Sequence, residues 1–164
     1  MSKTALKDIC RYRHESVIAD SFAYVSTESM LPNKAGITTM SSSPTSGKVR
    51  RFRKGDTLVS NIRPYFKKIW QATIDGCCSP DVLVFEPSGC NADYLYWLLS
   101  CDAFFDHVVA TSKGTKMPRG DKAAIMAYEF ESKNTDDQLR IVQIMNPIRE
   151  KINLNDLLNG YLAA

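Results

Sequence analysis

The sequence predicts an α+β chain. Three observations carry this: short apolar runs with period-two alternation between Gly and Pro punctuation, a switch to helical spacing after residue 90, and a C-terminal stretch whose apolar residues recur every three or four positions.

"FAYVS" (22–26) reads as the first strand. Residues 27–48 are polar and rich in Ser, Thr and Pro, long for a connector, and long ordered loops are usually functional. "DTLVSNI" (56–62) reads as a strand after the Gly55-Asp56 turn, and Arg63-Pro64 interrupts it. "KIWQATI" (68–74) and "DVLVFEP" (81–87) read as two more, flanked by Gly76, Pro80 and Pro87-Ser88-Gly89. "NADYLYWLLSCDAFFDHVVATS" (91–112) predicts two helices capped by Asn91 and Asp102. "AYEFES" (127–132) predicts a last strand.

From Thr135 the apolar positions are Leu139, Val142, Met145, Ile148, Ile152, Leu157, Leu158, Tyr161 and Leu162. Asn146-Pro147 falls mid-pattern, so the expectation is a helix that kinks, or two helices with Asn146 capping the second. A stripe this apolar on a polar helix needs a covering surface, either its own domain or another chain.

A chain of 164 residues fits one ordinary domain with a short appendage, and it can bury a core without disulfides. The five cysteines (Cys10, Cys77, Cys78, Cys90 and Cys101) are odd in number and form no CxxC, which points to a reducing, cytoplasmic setting. The opening "MSKTALKDICRYRHES" lacks the apolar core of a signal peptide, and no apolar run is long enough to cross a bilayer.

Charge is unevenly laid out. Residues 48–68 carry eight basic side chains against Asp56 alone, and residues 111–122 carry four against Asp121 alone. The intervening 69–110 holds six acids and no Lys or Arg. Such segregation suggests one surface facing a polyanion; ordinary charge scatter on a solvated surface is the other reading.

Residues 111–120, "TSKGTKMPRG", have the composition of a phosphate-gripping loop. A nucleotide P-loop is excluded: Gly114 and Gly120 are one residue too far apart, Asp121 stands where Lys belongs, and Pro118 removes a backbone donor. Binding to a nucleic-acid backbone has no such spacing rule. "NIRPY" (61–65) departs from the Asn-Pro-Pro-Tyr of amino-methyltransferases, and no Gly-rich methyl-donor loop is present. Asp81, Glu131 and Lys133 spell a loose metal-nuclease pattern whose halves lie far apart. His14 and His107 are isolated, and Cys77, Cys78 and Cys101 fit core packing better than zinc. No catalytic or metal-ligating residue is assigned.

What remains is "VRRFRKGDTLVSNIRPYFKK" (49–68), with Arg, Asn, Tyr and Lys around a loop–strand–loop. Arg pairs bidentately with guanine and Asn with adenine, whereas Lys mostly serves phosphates.

Five segments occur in order: "YVSTESMLPNKAGIT" (24–38), "FRKGDTLVSNIRPYFKKIW" (52–70), "ADYLYWLLSCDAFFDHV" (92–108), "SKGTKMPRGD" (112–121) and "DDQLRIVQIMNPIREKINLNDLLNGYL" (136–162). Together they resemble the DNA specificity (S) subunits of type I restriction–modification systems. The resemblance implies a target-recognition domain over residues 1–134, with a twisted mixed or antiparallel sheet and helices. It implies a coiled-coil-like spacer and dimerisation helix over 135–164, with Gln138, Ile141, Glu150, Lys151, Ile152, Asn155 and Asn159 as its signature. Such subunits usually carry two recognition domains and two spacers. This chain has one of each, so it looks like a half-subunit that pairs as a homodimer through Leu139, Val142, Met145, Ile148, Ile152, Leu157, Leu158, Tyr161 and Leu162 and reads an interrupted palindrome.

The implied partners are double-stranded DNA, a methyltransferase (modification) subunit that would bind S-adenosylmethionine, and a restriction subunit. The chain itself is expected to hold no cofactor and to catalyse nothing. Phosphate contacts are expected from Lys48, Lys54, Lys67, Lys68, Lys113, Lys116 and Lys122, and Lys34 is expected among the DNA-binding residues. Base reading is expected from Arg50, Arg51, Arg53, Arg63 and Arg119, with Thr38, Thr39, Ser41, Asn61 and Thr115 nearby. A metal-dependent nuclease and a truncated adaptor that only holds the methyltransferase are the alternatives.

Overall fold

The structure is a computed structural model describing residues 3–18, 23–38, 40–42 and 47–162; at 41, 42, 161 and 162 it describes the backbone alone. The expected contributions of Thr39 and of the Ser41, Tyr161 and Leu162 side chains lie outside that range.

The chain runs through β1 (Lys3–Ala5), a 3-10 turn at Leu6–Asp8, β2 (Cys10–Tyr12), β3 (Ser16–Ile18), β4 (Ala23–Val25), β5 (Ser41–Ser42), β6 (Lys48–Phe52) and β7 (Thr57–Ser60). A second 3-10 turn at Pro64–Phe66 precedes β8 (Ile69–Gln71), β9 (Gly76–Cys78) and β10 (Val82–Pro87). Helices α1 (Ala92–Leu99), α2 (Asp102–Ala110) and α3 (Lys122–Met126) follow, then β11 (Glu129–Glu131) and α4 (Thr135–Leu162).

Two larger sheets, a two-stranded β1–β11 sheet and a helical layer make the body. One sheet has the order β2-β10-β7-β8 and is antiparallel throughout. The other, β3-β6-β9-β4-β5, is mixed, because β4 and β9 run parallel while its other pairs are antiparallel. Period-two alternation decides the layering. On β7 and β10, Val59, Leu83 and Phe85 face the helices, where they meet Leu95, Leu99, Phe104, Phe105 and Val108. Leu58, Val82 and Val84 face the five-stranded sheet and meet Val25, Phe52 and Cys78. The four-stranded sheet is thus covered on both faces, which explains why β7 is buried along its whole length. Within the five-stranded sheet β9 is tightly packed at Gly76, where a Cβ would lie 2.5 Å from both the Ala23 carbonyl of β4 and the Phe52 ring of β6. An edge-on aromatic pair, Phe85–Phe104 at 6.4 Å, knits the helical layer to β10 and is worth about 0.5–1.5 kcal/mol beyond area burial.

A buried ion pair fixes the turn between β6 and β7. Arg13 donates to Asp56 from Nε (2.7 Å) and Nη2 (3.0 Å), and Asp56 also accepts from the Arg53 backbone N–H at 2.8 Å. Removing one partner of such a buried pair costs about 3–5 kcal/mol.

Several sequence expectations change. Asn91 caps α1, accepting from the N–H groups of Asp93 and Tyr94. Asp102 is not a cap: Cys101 takes that position, and Asp102 turns its carboxylate to two lysines instead. Cys101 is exposed rather than packed in the core, whereas Cys77 and Cys78 are buried. Residues 48–52, expected to be loop, form β6.

Of the two expectations at Asn146-Pro147, the split into two helices does not occur: α4 is one helix of 28 residues with Pro147 inside it, about 42 Å long. Pro147 lies on the exposed side, where water can satisfy the carbonyl that loses its N–H partner. Asn146 caps nothing. It points into the domain, accepting from Trp97 Nε1 at 2.9 Å and donating to Asp93 Oδ2 at 2.8 Å. No helix among the described residues is long and apolar enough to cross a membrane.

Candidate nucleic-acid interface

β7 divides the candidate residues. Its four residues, roughly 13 Å of strand, separate two groups of loops. At its C-terminal end gather residues 61–68, the 79–81 connection, the 113–119 hairpin and the loop leaving β4. Lys48 and Arg50, at the start of β6, belong to this end, because Arg50 Nη1 donates to the Val82 carbonyl at 2.9 Å. At the other end sit Arg51, Arg53 and Lys54, around Glu15 and Asp75.

The 111–120 segment leaves α2 and folds into a short hairpin. Lys113 and Arg119 exchange backbone hydrogen bonds at 2.8 and 2.9 Å. The hairpin then docks on the 61–64 turn: Arg63 N–H donates to the Pro118 carbonyl (2.8 Å) and Gly120 N–H to the Asn61 carbonyl (3.2 Å). A side chain at position 120 would force its neighbours to shift. An added Cβ would meet Ile125 Cδ1 at 2.8 Å, with Asn61 Oδ1 and Val108 Cγ1 at 2.9 Å each. This docking leaves Thr115, Lys116 and Met117 at the tip, all exposed.

A second lock joins the 32–36 turn to the Pro64–Phe66 turn. Asn33 N–H donates to the Phe66 carbonyl (2.8 Å) and Lys34 N–H to the Lys67 carbonyl (2.9 Å). Lys34 and Lys67 also converge on Asp102 Oδ1, at 2.7 and 2.8 Å. The two ammonium groups hold the Asp102 carboxyl down at about 2, Lys34 being the larger influence. In return Asp102 raises the Lys67 ammonium above its usual value.

Many of the basic side chains counted in the sequence already have partners. Arg51 and Arg53 pair with Glu15 at 3.2 Å each, Arg119 with Asp81 at 3.1 Å, and Lys113 with Asp121. The Lys113 ammonium lowers the Asp121 carboxyl. Lys68 donates to the Thr27 carbonyl at 2.6 Å, and Thr38 Oγ1 donates to the Ser29 carbonyl at 3.3 Å. Among the described residues no carboxylate pairs with Lys48, Lys54, Arg63, Lys116 or Lys122, and all five are exposed. Asn61, expected among the base readers, is only 7% exposed, and the backbone of the hairpin covers it. It holds two loops together rather than facing solvent.

Sequence reasoning missed the carboxylates that position these cations, Glu15, Asp75, Asp81 and Asp102, because they come from distant segments. It noted Tyr65 in the basic stretch but gave no role to it or to Phe66, exposed by 49% and 39% beside Arg63. Two large aromatics next to a lone Arg in "IRPYF" were the available signal.

Helix α4 is held by a polar clasp. Arg149 stacks over Tyr96 (4.8 Å) and Trp97 (5.2 Å) and donates to Gln71 Oε1 at 2.9 Å. Gln71 in turn donates to Asp93 Oδ1 at 2.8 Å, and Gln138 Oε1 accepts from the Asn91 N–H at 3.3 Å. Val142 and Met145, expected at an interface with another chain, are half-buried on this clasped side. Leu139, Ile148, Ile152, Leu157 and Leu158 are exposed, as are Ile144 and Leu154. Every residue from Glu150 to Gly160 is exposed.

The nuclease pattern does not assemble. Asp81 is engaged by Arg119, while Glu131 lies in the separate β1–β11 sheet and accepts from Lys133 at 2.6 Å. Among the described residues no three His, Cys, Asp or Glu side chains come together as a metal site. Burial pushes the Cys10 and Cys78 thiols up to about 12, so neither supplies a thiolate near neutral pH.

No protein-family model matches the chain, and no curated protein matches it. Solved structures do. The HsdS subunit from Thermoanaerobacter tengcongensis is 18% identical with a TM-score of 0.73, over 96% of this chain and 44% of that one. A chain from a study of complex assembly and conformational transition of the type I R-M system gives 18%, 0.72, 96% and 44%. The type I restriction-modification system S subunit from M. genitalium gives 12%, 0.61, 93% and 40%. This chain therefore has the α+β fold of those S subunits, and it spans less than half their length.

Proposed function

We propose that this chain is a half-sized specificity subunit of a type I restriction–modification system. Residues 1–134 form a target-recognition domain and residues 135–164 a spacer helix. The observation that carries the reading is that near-complete match to S subunits less than half covered, combined with exposed cations on loops gathered at one end of β7. Those loops bind double-stranded DNA. Lys48, Lys116 and Lys122 meet phosphates, and Arg63 and Arg119 reach base edges. Lys54, Arg51 and Arg53, at the far end of β7, are set back from this contact.

The exposed apolar residues of α4 pair with a second copy. The resulting two-fold symmetric dimer reads a split, palindromic target. Methyl transfer, with S-adenosylmethionine, belongs to a methyltransferase subunit and cleavage to a restriction subunit. The chain is not itself an enzyme, and the assembly works in the cytoplasm.

The test is to co-express the chain with the methyltransferase of its own system and map methylated adenines across the DNA. One interrupted palindromic motif is expected. An asymmetric motif would refute the homodimer. A stable complex without methylation would leave this chain as an adaptor that reads nothing.

A further inference from the structure

The two turns locked across Asp102 share an unusual backbone. Asn33, Lys34, Arg63 and Lys67 all have positive φ, at 55°, 63°, 49° and 50°, and none is Gly. Left-handed geometry is unfavourable for such residues and persists where surrounding structure enforces it, often at functional sites. Here it brackets the Pro64–Phe66 turn on both sides. Pro64 is buried as the anchor, Phe66 N–H donates to the Arg63 carbonyl (3.0 Å), and Lys67 N–H donates to the Pro64 carbonyl (2.9 Å). The side chains this knuckle turns outward are Arg63, Tyr65 and Phe66.

Those two rings lie 4.7 Å apart, tilted by 55°, and both are exposed. The surroundings are not those of an apolar protein contact. Phe66 borders a shallow hollow of about 220 Å³ shared with Arg63, Lys68 and Met117, and Lys68 Nζ lies 5.9 Å from its centroid. The exposed Arg63 directly precedes the turn, and the hollow is lined by two cations, Arg63 and Lys68, and one acid, Glu28, with Met117 of the hairpin tip, next to the exposed Lys116, on its wall. An apolar tip with a net excess of cations beside it is complementary to a nucleobase face flanked by phosphates.

We propose that Tyr65 and Phe66 form a base-stacking wedge that enters a duplex step, with Arg63 and Lys116 gripping the phosphates beside it. The idea rests on the DNA-recognition reading above and adds a mode of reading to it. Stacking accepts any base, but opening a step is easiest at pyrimidine–purine sequences, so the wedge selects by deformability rather than by hydrogen bonds.

The experiment uses a random-sequence duplex pool with 5-iodouracil replacing thymine, bound to the full chain, irradiated and mapped by mass spectrometry. Adducts on Tyr65 or Phe66 are expected, and the selected sequences should be enriched in pyrimidine–purine steps. The double variant Tyr65→Leu, Phe66→Leu keeps apolar bulk and should bind the selected duplex roughly 5- to 100-fold more weakly with an unchanged circular dichroism spectrum. Adducts confined to other residues while the pool is bound would overturn the wedge and leave DNA recognition standing. Failure to bind any of the pool overturns both. A variant that binds DNA normally but no longer holds the methyltransferase subunit would assign the knuckle to a protein contact instead.

Discussion

Arg119 donates from Nη2 to Asp81 Oδ1 at 3.1 Å, linking the 111–120 hairpin to the residue just before β10. Both side chains are partly open, Arg119 by 54% and Asp81 by 37%. An arginine aimed by a carboxylate loses less freedom on binding than a loose one, because its orientation is set beforehand. Arg119→Ala is expected to weaken binding to the preferred target by about 1–3 kcal/mol while hardly changing binding to random DNA. Asp81→Asn should reproduce part of that loss. Fluorescence anisotropy on both duplexes decides it, and equal losses on the two would make Arg119 a backbone contact.

Gly120→Ala should destabilise the fold by about 1–3 kcal/mol, because the new methyl group overlaps Ile125, Val108 and the Asn61 carboxamide at once. Urea unfolding measures this as a lower midpoint at constant slope. A wild-type midpoint would show that the hairpin can lift off the 61–64 turn freely.

Asp102 carries a pH signature. Its carboxyl is held at about 2, below its ordinary value, so the contact with Lys34 and Lys67 stabilises the fold above the unfolded-state value near 4. That stabilisation is lost as pH falls through about 2. A carbon-13 titration should find the low midpoint, and Asp102→Asn should speed amide exchange at Asn33 and Lys34. The same variant frees two ammonium groups, so its affinity for random DNA should rise at low salt and converge with the wild type at high salt.

Leu157→Asp with Leu158→Asp is expected to yield a folded monomer, since both side chains are more than half exposed and touch nothing in the domain's core clusters. Light scattering should show the mass halved with helicity retained. An unchanged mass would rule out pairing through this stretch.

The strands legible in the sequence were those whose own side chains declare a period, β4, β7, β8, β10 and β11, together with the stronger helices α1 and α2. β2, β3 and β9 lie in stretches whose own pattern declares no strand, and β6 is basic, so only partners far along the chain make them strands. The candidate site was legible as cations and illegible as charge. Glu15 reaches Arg51 and Arg53 across 36 and 38 positions, and Asp102 reaches Lys34 across 68. No window along the sequence reveals that neutralisation. Pro147 left one helix and two helices both open for a similar reason: its cost depends on which side of the helix meets water, and that is settled by Asn146, Arg149 and Trp97.

The pairing of β1 with β11 sets Lys3 opposite Glu131, four residues before α4 begins. The chain therefore enters and leaves the body through one doorway, next to the root of the long helix. A body exchanged at this seam has to bring its own Asn91, Asp93, Tyr96 and Trp97 for α4 to clasp. On the proposed reading, such a graft would carry a new target preference while α4 stays as it is.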